Sequence, residues 1–119
     1  MRDDVDLTFT DEAGYLRVTQ SGAQEFDRAL RAIERIAAEA AERHAERVLI
    51  DARAIPGRRP TFDKFRLGEA AAARFHFKCA VISNPEDADR FLETVARNRG
   101  VNGLVFTDES EALAWLLAD

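Results

Sequence analysis

The stretch Val48-Leu49-Ile50-Asp51 decides the fold, because it is a continuous apolar run that ends in an acidic residue. Short continuous apolar runs are typical of central strands in a parallel sheet, which are buried on both faces. Two more short strands are predicted downstream, at residues 78–82 and 103–106, each after a helical segment. Strands that alternate with helices favour right-handed crossovers and parallel pairing.

Two strands that precede the central one are expected to form a hairpin. Residues 5–10 alternate apolar and polar side chains, as in a half-buried strand, and residues 15–19 form a second strand after a turn that contains Gly14. Strands joined by a short glycine-containing turn pair in antiparallel fashion. We therefore expect one mixed sheet of five strands, with the first strand as an antiparallel edge.

Polar capping residues mark the starts of four predicted helices. Ser21 and Gln24 have the spacing of a capping box, and Thr61 has the position of an N-cap. The helices are predicted over about residues 23–44, from residue 62 to about residue 74, from Ser83-Asn84-Pro85-Glu86 to Gly100, and after the capping residues Asp108 and Glu111. The order β-β-α-β-α-β-α-β-α predicts an α/β domain with helices covering the sheet.

The composition excludes several classes of protein. A chain of 119 residues has the size of one domain, so we treat residues 1–119 as a single unit. Hydrophobic residues at 46% and charged residues at 33% indicate a globular chain, and the single cysteine, Cys79, excludes an intramolecular disulfide. Because no apolar run could span a membrane and the N-terminus lacks the apolar part of a signal peptide, we expect a cytoplasmic protein.

The charge distribution singles out one loop. The net charge of −5 argues against nucleic-acid binding, yet residues 53–66 hold five basic side chains against one acidic side chain. This segment follows the carboxyl end of the central strand, where open α/β sheets bind ligands, and leads into a helix N-terminus, which favours anions. The candidate residues for binding a partner or an anion are Arg53, Arg58, Arg59, Thr61, Phe62 and Lys64.

Three interpretations of this loop stay open from the sequence. In a protein-interaction module, Arg58 and Arg59 would supply charge complementarity, and Phe62 would be an anchor if it is exposed. In a carrier or sensor of an anionic metabolite or lipid headgroup, Arg53 and Lys64 would line a concave pocket with aromatic side chains. The third interpretation is a solvated surface loop. A homodimer through an edge strand or the last helix is also open.

The chain shows no pattern typical of a catalytic or metal centre. Cys79 lies among apolar residues in a predicted strand, where cysteine is usually a small buried hydrophobe. His44 and His76 have no partner in the sequence that would make them a general base or a metal ligand pair. No glycine-rich phosphate-binding motif is present. We therefore predict that the protein is not an enzyme and holds neither a metal nor a cofactor.

Several local strings are similar to those of a known family. They are residues 48–51, 65–69, 78–82, 93–100, 105–108 and 112–116. Together with the element order, these strings resemble the STAS domain superfamily, and within it the SpoIIAA-like branch, over most of the chain. The resemblance implies a single STAS-like α/β domain and a regulatory or protein-interaction role, as in the anti-sigma-factor antagonists.

One part of the chain departs from that family's pattern. In the antagonist proteins, a serine at the start of the helix after the acidic strand end is phosphorylated to switch partner binding. Here Asp51 leads into a longer, basic loop, and Thr61 is the hydroxyl-bearing residue near the equivalent helix start. Thr61 is therefore a candidate phosphosite, beside its simpler interpretation as the cap of the helix.

Overall fold

The computed structural model describes residues 7–22, 25–55, 57, 60–87 and 91–118. Its strands are β1 (Leu7–Glu12), β2 (Tyr15–Ser21), β3 (Arg47–Ala54), β4 (Lys78–Ile82) and β5 (Gly103–Phe106). Its helices are α1 (Phe26–Glu42), α2 (Thr61–Arg74), α3 (Phe91–Asn98) and α4 (Glu109–Leu117), with a 3₁₀ turn at Pro85–Asp87. None of the helices described is long and apolar enough to cross a membrane.

The five strands form one mixed sheet in the order β1-β2-β3-β4-β5, which confirms the predicted α/β fold. The hairpin strands β1 and β2 pair in antiparallel fashion, with Phe9 opposite Val18. The other neighbours are parallel, with Val18 opposite Ile50 and Ile50 opposite Val81. The edge position of β1 and the central position of β3 are therefore as expected.

The strand order also explains where the helices lie. Each crossover from β2 onward moves one strand along the sheet in the same direction, and right-handed crossovers of this kind place all their helices on one face. Accordingly, Ile36 of α1 and Ala71 of α2 pack against Val18, Ile50 and Cys79. We call the side of the sheet on which α1 and α2 pack the cavity face, because it contains a cavity.

The last helix covers the opposite side, which we call the α4 face. Leu49, Ala80 and Ile82 point to this side and pack against Ala112 and Leu116 of α4, and all five are almost completely buried. Residues on the central strands are thus buried on both faces, which is why β3 reads as a continuous apolar run.

The start of α1 differs from the prediction. Ser21 does not cap this helix, because β2 continues as far as Ser21, which pairs with Ala54 of β3. The chain then turns at Gly22, whose φ is +82°, and the helix begins at Phe26 with Glu25 as its N-cap. Gln24, the other member of the predicted capping box, lies outside the described residues.

Two other helices also begin at residues that differ from the predicted ones. Thr61 is not the N-cap of α2 but its first residue, because Pro60 occupies the cap position and has no side-chain donor or acceptor to use there. The predicted start after Ser83 produces only the 3₁₀ turn, in which the Asn84 Oδ1 accepts a hydrogen bond from the Asp87 N–H at 3.0 Å. Helix α3 follows as a separate element from Phe91, and residues 88–90 are not described.

The predicted cap of the last helix is confirmed. Asp108 precedes α4, and its carboxylate accepts a hydrogen bond from the Glu111 N–H at 2.9 Å. The pKa of Asp108 is held below its usual value, chiefly by a hydrogen bond from the Ser110 hydroxyl and by the bond from the Glu111 amide. This cap fixes the start of α4 beside the carboxyl ends of the central strands.

Candidate functional site

At the carboxyl end of β3, four charged side chains form a closed network on the α4 face. Arg53 lies with its Nη2 2.7 Å from Asp51 Oδ2 and 2.9 Å from Glu109 Oε1. Arg17 of β2 makes the same two contacts, at 2.9 Å and 3.0 Å. Each arginine therefore bridges the strand end to the first residue of α4.

In this network, the guanidinium group of Arg53 is already paired with carboxylates of the protein. Hydrogen bonds from Arg53 are the largest cause that lowers the pKa of Asp51, and the charge of Arg17 adds to it. A hydrogen bond from Arg17 is the main cause that lowers the pKa of Glu109. The pKa of the Arg53 guanidinium is raised, mainly by its bond to Asp51. An external anion would have to compete with these two carboxylates for Arg53.

The start of α2 presents two of the predicted site residues to solvent. Thr61 is exposed, and the Phe62 ring is 67% exposed, which is unusual for a large apolar side chain. Arg66, one turn later, lies with its guanidinium 6.0 Å from the centre of the Phe62 ring and 4.7 Å from that of Phe26. An aromatic side chain flanked by a cation is therefore accessible at this end of the helix.

Two of the predicted residues cannot be placed. Arg58 and Arg59 lie outside the described residues, as does Pro56. The loop does contact the rest of the protein at Ile55 and Gly57, whose carbonyl oxygens accept hydrogen bonds from Asn84 Nδ2 at 2.7 Å and 3.3 Å. The segment after β3 is thus joined to the segment after β4.

Lys64 lies inside the protein and not in a surface loop. Only 2% of its surface is exposed, and its Nζ is 2.9 Å from Asp87 Oδ1. The same ammonium group donates to the Asp87 carbonyl oxygen at 3.3 Å. Lys64 is therefore held by the 3₁₀ turn after β4, on the other side of the sheet from Arg53.

A cavity of about 150 Å³ lies on the cavity face, between the sheet and helices α1, α2 and α3. Its walls are largely apolar, with Ile33 and Ile36 from α1, Leu67 and Phe75 from or beside α2, and Ile50, Val81 and Cys79 from the sheet. Burial raises the pKa of the Cys79 thiol to about 12, so this residue is a neutral part of the wall and not a nucleophile.

Polar groups line the part of the cavity near the carboxyl ends of the strands. They are Gln20, Lys64, Ser83, Asn84, Asp87 and Glu93. Most have protein partners: the Ser83 hydroxyl donates to the Asn84 carbonyl oxygen at 3.0 Å, and Glu93 Oε1 accepts from the Val105 N–H at 2.7 Å. The arrangement can hold a small molecule that is apolar over most of its surface and polar at one end.

Lys64 is among the site residues predicted from the sequence, whereas the other polar residues of the cavity are not. Gln20 could have been found, because it follows Leu16 and Val18 at alternate positions of β2 and so shares their buried face. Asp87 and Glu93 carried no such signal, since acidic residues near a helix start are usually solvated. Within the described ranges, no group of three or more histidine, cysteine, aspartate or glutamate side chains could hold a metal ion.

Comparison with known proteins adds no family to this description. No family model matches the chain, and no curated protein matches it in sequence. The resemblance to the STAS superfamily therefore stays a prediction.

Proposed function

We propose that the protein is a non-enzymatic module that binds a small molecule in the cavity between the sheet and α1–α3. The observation that carries the proposal is the cavity itself, which combines apolar walls with polar groups at one end. Binding pockets for small molecules commonly have this combination. A cavity of about 150 Å³ is large enough for a group the size of benzene.

The size of the cavity restricts the ligand. A long lipid chain would not fit, because the same apolar residues that line the cavity also form the core of the domain. A carrier or sensor of a small molecule agrees with the second of the interpretations drawn from the sequence. That interpretation placed Arg53, Lys64 and aromatic side chains around a pocket. In the structure, Lys64 and one aromatic side chain, Phe75, line the cavity, whereas Arg53 does not.

The experiment that tests this proposal uses toluene as the probe and a variant that fills the cavity. Ala71 lines the cavity on α2, so Ala71→Leu places a larger side chain into it. Ala73 lies on the exposed side of the same helix, so Ala73→Leu is the matched control. At about ten times its dissociation constant, toluene should raise the Tm of the wild type by about 5 °C, by mass action.

The control variant should respond to toluene as the wild type does, and Ala71→Leu should not respond. Both variants must first show a cooperative unfolding transition. If toluene leaves the Tm of the wild type unchanged at its solubility limit, or raises all three proteins equally, the cavity does not take up apolar molecules and the proposal fails.

A second candidate function is protein docking at the start of α2, and the exposure of Phe62 supports it. Phe62 and Leu117 are the large apolar side chains that the described residues leave exposed. The basic residues Arg58 and Arg59 precede Phe62 in the chain, so an acidic partner surface would suit this region. This candidate agrees with the regulatory role that the STAS resemblance implies, with Thr61 as its site of phosphorylation.

Docking is tested by comparing two substitutions at exposed apolar residues. Tagged wild type, Phe62→Ser, Leu117→Ser and the double variant Arg58→Glu/Arg59→Glu would be purified from the native host, and the proteins retained in stoichiometric amount would be identified by mass spectrometry. A partner lost from Phe62→Ser and from Arg58→Glu/Arg59→Glu but kept by Leu117→Ser supports docking at α2. Equal retention by all the variants contradicts it.

A further inference from the structure

The side-chain amide of Gln20 indicates what kind of molecule the cavity would bind. Gln20 lies near the end of β2, lines the cavity, and is only 9% exposed. Among the residues that the structure describes, none forms a hydrogen bond with its side-chain amide. Its amide atoms are not among the fully buried side-chain atoms that lack a partner, so they stay open to water or to a ligand in the cavity that Gln20 lines.

The other polar groups around the cavity differ from Gln20 in this respect. Lys64 is paired with Asp87 at 2.9 Å, and Glu93 accepts a hydrogen bond from the backbone of Val105. Ser83 donates to a backbone carbonyl oxygen. Gln20 therefore offers one acceptor and two donors to whatever occupies the cavity.

The charges of the cavity argue against an ionic ligand. The described lining contains one cation, Lys64, and two carboxylates, Asp87 and Glu93. An anion would meet a cation already paired with Asp87, and a second carboxylate nearby. A cation would lose its hydration among apolar walls, while both carboxylates already accept bonds from the protein.

We infer that the ligand is an uncharged molecule with an apolar body about the size of benzene and a hydroxyl or carboxamide group that hydrogen-bonds to the Gln20 amide. This inference rests on the proposed function, because it requires that the cavity binds a small molecule. It differs from the anionic ligand that one of the interpretations of the sequence named. A hydroxyl suits Gln20 because it both donates and accepts hydrogen bonds.

Four probes that share one aromatic ring test the inference: toluene, benzyl alcohol, benzoate and benzylamine. Their affinities would be measured by NMR titration of the wild type and of Gln20→Met, which keeps the shape of the side chain but removes the amide. Thr19→Val is the control, because Thr19 is the neighbouring residue on the opposite face of β2.

The wild type should bind benzyl alcohol and should bind benzoate and benzylamine at least about tenfold more weakly, because burying an unpaired charge is unfavourable. Gln20→Met should weaken the binding of benzyl alcohol about fivefold, the value of one neutral hydrogen bond, and leave toluene unaffected. Thr19→Val should leave both affinities unchanged. In the wild type, the side-chain amide signals of Gln20 should shift with benzyl alcohol much more than with toluene.

The outcomes separate this inference from the proposed function. If toluene does not bind to the wild type, the proposed function fails. If toluene binds but the affinity for benzyl alcohol is the same in Gln20→Met, or benzoate binds more tightly than benzyl alcohol, the cavity binds small molecules and the inference is overturned. Should Gln20→Met not fold, the amide signals of Gln20 in the wild type decide alone: no shift with benzyl alcohol overturns the inference.

Discussion

The two lysines of the chain lie on opposite faces of the sheet and have different surroundings. Lys78, on the α4 face, donates to the carbonyl oxygens of Trp115 at 2.7 Å and of Ala118 at 3.0 Å. It thereby stabilises the carboxyl end of α4, where a positive charge is favourable, and it lies 4.5 Å from the Trp115 ring centre. Lys64, on the cavity face, is buried and pairs with the carboxylate of Asp87.

The difference extends to the faces themselves. The α4 face has an apolar core, and four of its charged residues bind each other at the rim: Arg17, Asp51, Arg53 and Glu109. The cavity face instead buries charged residues beside unfilled space. Because a buried ion pair rarely stabilises a protein more than apolar residues of the same shape would, stability alone does not explain the Lys64–Asp87 pair on the cavity face.

The largest expected effect on stability comes from removing the buried charge. Lys64→Met should lower the free energy of unfolding by about 3 kcal/mol, because it removes one partner of a buried ion pair. Lys78→Met removes a partly exposed lysine that caps a helix, and it should cost only about 1 kcal/mol. Urea denaturation of the two variants and the wild type measures both values.

The double variant Lys64→Met/Asp87→Leu sharpens this comparison. It removes both charges, so it should recover most of the stability lost in Lys64→Met. Equal losses in Lys64→Met and Lys78→Met, or no recovery in the double variant, would contradict the view that the two faces treat charge differently.

A smaller effect is expected at Gly68, where α2 packs against α3. A Cβ atom at Gly68 of α2 would lie 2.7 Å from Val95 Cγ1 of α3 and 3.0 Å from Val95 Cβ. In a helix, replacing glycine with alanine normally stabilises the protein by about 1 kcal/mol. Here the close contact with Val95 should make the substitution destabilising instead. Gly68→Ala should therefore destabilise the protein by about 1–2 kcal/mol in urea denaturation, as overpacking does.

The background variant Val95→Ala provides the control for this prediction. Val95→Ala removes the contact at 2.7 Å but keeps the Cβ atom at 3.0 Å, so Gly68→Ala should cost less stability in this background than in the wild type. If Gly68→Ala stabilises the protein in both backgrounds, the prediction is wrong, and α2 and α3 can move apart at little cost in free energy.

Much of the fold could be predicted because it depends on local patterns. The apolar run at Val48–Ile50, the alternation of the first strand and the turn at Gly14 gave the element order, the hairpin and the mixed sheet. The helix starts were harder to predict, because a serine or threonine near a helix start fits the pattern of a cap whether or not it occupies the cap position, as at Ser21 and Thr61. Whether β2 stops before Ser21 depends on its pairing with Ala54, which lies far along the chain.

The candidate site was less predictable, because sequence proximity did not mean spatial proximity. Arg53 and Lys64 are close in the chain, and the basic loop suggested one site for both. Arg53 continues the alternation of Leu49 and Asp51 and so faces α4, whereas Lys64 on α2 faces the cavity. Their partners, Glu109 and Asp87, are distant in sequence, so no local pattern indicated that Arg53 and Lys64 are paired within the protein.

The smallest expected effect tests the charge network on the α4 face. Asp51→Asn should lower the free energy of unfolding at pH 7 by about 1 kcal/mol, because two partly exposed arginines lose a charged hydrogen-bond acceptor. The pKa of Asp51 is lower in the folded protein than its ordinary value of 3.8, so its contribution is present above that pH and is lost as the pH falls below it.

Urea denaturation over a range from about pH 7 to about pH 2 should therefore show the wild type losing more stability than Asp51→Asn below about pH 4. Asp11→Asn is the matched control, because Asp11 also pairs with an arginine, Arg43 at 3.1 Å, but is largely exposed. It should change the stability by less than about 0.5 kcal/mol. If the two variants behave alike, the network at the rim is an ordinary surface cluster, and Arg53 is more available to an external anion than its contacts imply.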